Sequence, residues 1–92
     1  MTLNDIEKIY FIQQEEFQLG EKSVYVPEFF INYKVAKKRF KEIVNERKKN
    51  LDYLESETKG VDFVMLTGTD EWGETRIEIW LRDNELNKEQ IK

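Results

Sequence analysis

Residues 32–54 read NYKVAKKRFKEIVNERKKNLDYL, and the spacing of their apolar members decides the fold. At about 100° per residue Tyr33, Ala36, Phe40, Ile43, Val44, Leu51 and Leu54 fall within about 60° of one another, which is one face of a helix. Asn32 stands where an N-cap is needed, its side-chain oxygen able to accept a backbone N–H of the first turn, with Ile31 before it as a candidate staple residue. The spacing predicts a helix from Tyr33 to between Asn50 and Glu55, and Gly60 ends the connection that follows.

Outward from this helix the period changes to two. Ile9 to Phe17 reads as a first strand, Gly20 with Glu21, Lys22 and Ser23 as a turn, and Val24 to Val26 as a second strand that Pro27 stops, since proline has no N–H to donate. Beyond the helix, Val61 to Thr69 reads as a strand whose consecutive Phe63, Val64, Met65 and Leu66 suggest cover on both faces. Asp70 to Gly73 forms a turn. Thr75 to Arg82 then alternates, with Ile77, Ile79 and Leu81 on one side and Arg76, Glu78 and Trp80 on the other. Asn84 to Lys92 has no apolar pattern and is expected to fray. The expected fold is α+β in two layers: a four-stranded, mainly antiparallel sheet with one long amphipathic helix, in the order ββαββ. With one helix to cover it, one face of the sheet stays partly open.

Ninety-two residues suit a single domain spanning 1–92, with an ordered core from about 8 to 83. An apolar fraction of 39% is enough for one core. The absence of Cys excludes a disulfide scaffold, and a cytoplasmic location is expected. No stretch is apolar over the roughly 18 residues that a membrane span needs, and Met1 to Lys8 has no signal-peptide character.

Without His or Cys the chain lacks the commonest general base, the thiol nucleophile and the usual zinc ligands, so an enzyme is not expected and neither is a cofactor or metal. Asp70, Glu71 and Glu74 cluster in a turn, where solvent leaves no reason for one carboxyl to titrate apart from another. They read as solvated turn residues, with a weak divalent-cation site as the alternative. An enzyme working with carboxylates alone would need at least two of them buried in a pocket.

Charge is partitioned. Residues 33–50 hold eight basic and two acidic side chains, a net +6, which leaves seven basic and seventeen acidic elsewhere, a net −10. Lys34, Lys37, Lys38, Lys41, Lys48 and Lys49 form a stripe that reads either as a solvated face whose stems cover apolar surface or as a surface for phosphates or an acidic protein. Arg47 falls within the apolar face, where a charge needs a partner, and a sheet carboxylate or a carbonyl is expected to supply it. Among the aromatic residues, Trp72 in a turn and Trp80 on the polar side of its strand are expected to be exposed. With Glu78 and with Val35 on the outer side of the helix they make a candidate protein interface, one form of which is a homodimer through the open sheet face.

FFINYKVAKKRFKEIV, set between two strand pairs, resembles a pattern in small uncharacterised proteins of phages and mobile elements. The resemblance rests on Phe30, Asn32, Ala36 and Phe40 and covers about residues 8–82. It implies a fold and a kind of genome and carries no functional residues. The reading that follows is a non-enzymatic binding protein acting through protein contacts, with inhibition by phosphate mimicry as one form. The alternative is a nucleic-acid-binding accessory protein using Lys34, Lys37, Lys38, Lys41 and Lys48.

Overall fold

The computed structural model describes residues 8–85, which form one helix and one open antiparallel sheet of six strands. The strands are β1 (Lys8–Gln18), β2 (Glu21–Val24), β3 (Glu28–Phe30), β4 (Tyr53–Lys59), β5 (Phe63–Asp70) and β6 (Gly73–Glu85), and the helix α1 (Tyr33–Lys49) lies between β3 and β4. The sheet runs β2-β1-β6-β5-β4, and β3 pairs with β1 beyond β2 on the same edge. Its spine is the pairing of β1 with β6, from Lys8 opposite Glu85 to Gln18 opposite Thr75.

Six strands replace the expected four. The segment Glu21–Phe30 makes two strands, because Pro27 interrupts it without ending its pairing: β2 lies against Glu15–Gln18 and β3 against Tyr10–Ile12. The helix ends at the near limit of its expected range, and Tyr53–Lys59, expected as helix end and connection, is a strand. Asn50 closes α1, Leu51 packs on the core edge, and Leu54, expected on the helical face, stands exposed in β4. Asn84 and Glu85, expected to fray, extend β6, while the remainder of that tail and residues 1–7 lie outside the described part.

Local chemistry accounts for the boundaries. Asn32 caps α1 as expected, its Oδ1 accepting from Val35 N–H at 3.1 Å. Ile31 is largely exposed and closes no staple. Leu19 and Gly20 have φ of 55° and 76°, the paired left-handed geometry that a two-residue turn between β1 and β2 requires. In the β5–β6 turn the Asp70 carboxylate accepts from Trp72 N–H at 2.8 Å, and Gly73 takes φ 119°.

Alternation in the strands places Ile12, Val64, Leu66, Ile77, Ile79 and Leu81 on one face, where Ala36, Phe40, Ile43 and Val44 of α1 bury them. Phe63 and Met65, expected to be covered like their neighbours, are only half-buried: they point away from α1, so β5 is interior in the sheet but covered on one face. No helix among the described residues is long and apolar enough to cross a membrane.

Candidate protein-binding face

The face turned away from α1 is built by the other half of the alternation. Register puts Phe11, Gln13, Glu15 and Phe17 of β1 beside Arg82, Trp80, Glu78 and Arg76 of β6, and Trp80 and Glu78 beside Phe63 and Met65 of β5. No described element lies over them. Phe63 and Trp80 pack with ring centroids 5.5 Å apart, and Phe11 and Phe29 at 6.0 Å. Such pairs add roughly 0.5–1.5 kcal/mol to their area burial, so the rings hold one another in place without further cover.

The charges on this face are largely matched. Lys22 bonds Glu15 at 2.7 Å and Arg76 bonds Glu78 at 3.0 Å. The Arg76 guanidinium lies 4.2 Å from the Phe17 ring centroid and that of Arg82 lies 5.1 Å from Trp80, so these cations sit on aromatic faces that a nucleobase would need for stacking.

Of the interface residues read from sequence, Trp80 and Glu78 belong to this face. Trp80 is half-buried against Phe63 rather than freely exposed, and Glu78 is tied to Arg76. Trp72 is exposed as expected (67%) but stands at the β5–β6 turn, the far end of the sheet from Val35. Val35 is also exposed and joins Ile9, Phe29 and Ile31 around an open apolar recess of about 480 Å³. The structure therefore does not gather Trp72, Trp80 and Val35 into one patch. It supplies instead Phe11, Phe29, Phe63 and Met65. Their signal was the alternation itself: once Val64 and Leu66 face inward, Phe63 and Met65 must face out beside Trp80.

The lysine stripe divides. Lys37 donates to the Val61 carbonyl and to the Asp62 carboxylate, and Lys48 pairs with Glu57 of β4. Lys34, Lys38 and Lys41 are exposed and have no ion-pair partner among the described residues. Arg47 has the expected sheet carboxylate: its Nη2 donates to Glu16 at 3.0 Å, its Nη1 to the Tyr25 hydroxyl at 3.2 Å, and its guanidinium lies over the Tyr25 ring.

Asp62 gathers a second polar knot at the helix N-terminal end, accepting from Tyr33 Oη at 2.8 Å and Lys37 Nζ at 2.9 Å. Partial burial pushes its carboxyl up, but the donated hydrogen bonds and the charge of Lys37 together outweigh that and hold it below its ordinary value. The same hydrogen bond, with some desolvation, raises the Tyr33 hydroxyl. In the β5–β6 turn, Asp70 accepts from Gln18 at 2.7 Å as well as from Trp72, and no group of three or more possible metal ligands occurs among the described residues.

Comparison with protein families, curated proteins and solved structures finds no match to this chain.

Proposed function

We propose that the protein is a non-enzymatic binding module, of phage or mobile-element type, that grips a protein partner through the open face of its sheet. One observation carries the reading: Phe11, Phe63, Met65 and Trp80 lie together on a sheet face that no described element covers. Contiguous aromatic surface of this kind is enriched at the centres of interfaces, and the charges around it form a polar rim. Because Glu15 and Glu78 are each already paired to a cation, packing of rings is favoured over phosphate mimicry as the mode of contact. A second copy of the chain is one partner that such a face could accept.

The test compares two variants in affinity capture from a bacterial lysate, with sedimentation of the purified proteins alongside. The face variant Phe63→Ser/Trp80→Ser is expected to lose the captured protein, or the self-association, that the native chain shows. The helix variant Lys34→Ala/Lys38→Ala/Lys41→Ala is expected to keep it. The reverse pattern, with the captured material sensitive to nuclease, supports the nucleic-acid reading instead. Far-UV circular dichroism establishes that both variants are folded.

A further inference from the structure

A second surface lies on the opposite side of the sheet, where α1 stops short of the outermost strand. Helix α1 packs on β1, β3 and β6, which leaves a cleft of about 340 Å³ between it and β4. Its floor is apolar, formed by Phe40, Val44 and Val64, and Lys41, Lys48 and Lys59 stand around it. Lys48 and Lys59 share one carboxylate, Glu57, while Lys41 is exposed and has no ion-pair partner among the described residues. Lys37 also lines the cleft but is neutralised by Asp62, so the other three ammonium groups face a single carboxylate, an excess of two positive charges at a half-enclosed site.

The wall of this cleft is a sheet edge with no described partner on its outer side. Gly60 N–H donates to the Phe63 carbonyl, which fixes the phase of the β4–β5 ladder: Lys59 opposite Val64 and Glu57 opposite Leu66 are pairs whose backbone groups turn away from β5. Glu57 and Lys59 therefore present outward N–H and C=O groups at the positions whose side chains enter the cleft. A chain laid antiparallel or parallel along this edge would bond those groups and project every second side chain toward Lys41, Lys48 and Lys59.

We propose that the β4 edge and the α1 cleft together bind an extended acidic peptide, which adds a strand to the sheet and places carboxylates at alternate positions among these three lysines. The main-chain bonds supply sequence-independent affinity and the lysines supply selection. A neutral strand gains nothing from them, and a basic one is repelled, so the charges that protect an exposed edge from indiscriminate pairing become the filter for a particular partner. This site is separate from the open aromatic face and would operate whether or not that face binds a protein.

The experiment uses the full chain and a short fluorescent peptide with glutamate at every second position and threonine or valine between. Anisotropy measures binding, and amide hydrogen exchange reads Glu57 and Lys59. Saturable binding with slowed exchange at those two amides is the expected result, and Lys41→Glu or Lys59→Glu should weaken it by roughly tenfold or more as rim charges of a steered complex do. Lys34→Glu, which alters charge equally but away from the cleft, should leave it nearly unchanged. A peptide N-methylated on the edge-facing amides should not bind. Equal weakening by Lys34→Glu, unaltered exchange at Glu57 and Lys59, or full binding of the N-methylated peptide would each overturn the proposal. So would a single-stranded oligonucleotide that protects the same residues and displaces the peptide at much lower concentration, because it would mark a phosphate site.

Discussion

The two faces of this sheet are made by the same strands and differ by one residue of phase. On the α1 side, β5 and β6 offer Val64, Leu66, Ile77, Ile79 and Leu81, aliphatic side chains that interdigitate with a helix and vanish from solvent. On the other side the same strands offer Phe63, Met65, Glu78 and Trp80, larger and mixed in polarity, half-buried by one another alone. The difference separates packing against a helix from the bracing of an uncovered surface. Aliphatic residues with restricted rotamers specify one packing against α1, whereas rings braced by neighbouring cations keep a surface ordered while it remains uncovered.

The largest effect should come from breaking the covered face. Phe40→Ala removes the central ring of α1 from the core and is expected to cost about 3–5 kcal/mol, measured as a drop in the urea midpoint with little change in slope. Next comes the junction with the outer strand. A Cβ on Gly68 would collide with the backbone of Tyr53, so Gly68→Ala should destabilise by about 1–3 kcal/mol and speed hydrogen exchange across β4 more than across β1.

Arg47→Ala strips the partner from Glu16 at a mostly buried pair and is expected to cost about 1–3 kcal/mol. Arg47→Met, which keeps the stem, should recover part of it, and the pair of variants in thermal melts separates packing from charge. Trp80→Ser tests the uncovered face: a loss of only about 1 kcal/mol is expected in the same melts, alongside loss of partner capture. A cost as large as that of Phe40→Ala would mean that this face is core and not an interface.

The smallest effect is set by pH. Asp62 titrates below its ordinary value of 3.8 in the folded chain, so its contribution is complete above that value and disappears as pH falls through it toward the depressed one. Asp62→Asn should therefore lower stability near neutrality by less than about 1 kcal/mol and by progressively less in acid, so that the two stability curves converge. At the alkaline end the raised Tyr33 hydroxyl acts with the opposite sign, losing its contribution as pH rises past its ordinary value of 10.

What could be read in the residues tracks how strongly burial disciplines them. Ala36, Phe40, Ile43 and Val44 are buried at helical spacing, and Ile77, Ile79 and Leu81 at strand spacing, so both elements were legible from pattern. Strand β4 was not. As an edge strand it carries no alternating apolar set, and Leu51 and Leu54 happen to continue the phase of α1, so pattern alone leaves the start of β4 open to a helical reading. Strand β3 was hidden behind Pro27 for a similar reason, its three residues too short to show a period. The candidate site suffered accordingly. Alternation alone puts Trp80 and Glu78 on the outer side of their strand, but Phe11 and Phe29 depend on which strands lie side by side, and the cleft of Lys41, Lys48 and Lys59 exists only once β4 is known to be a strand.

The two margins of the sheet are unequal. One is finished by β2 and β3, two fragments set end to end along β1 with Pro27 between them, while the other is the single strand β4, bulged between Leu54 and Ser56 and regular from there to Lys59. Ribbon-like stacking of copies needs a joinable border on both sides of every unit. With only one, an accidental edge-to-edge association ends at a pair, and the molecule can leave the regular part of β4 uncovered without becoming the seed of a fibre.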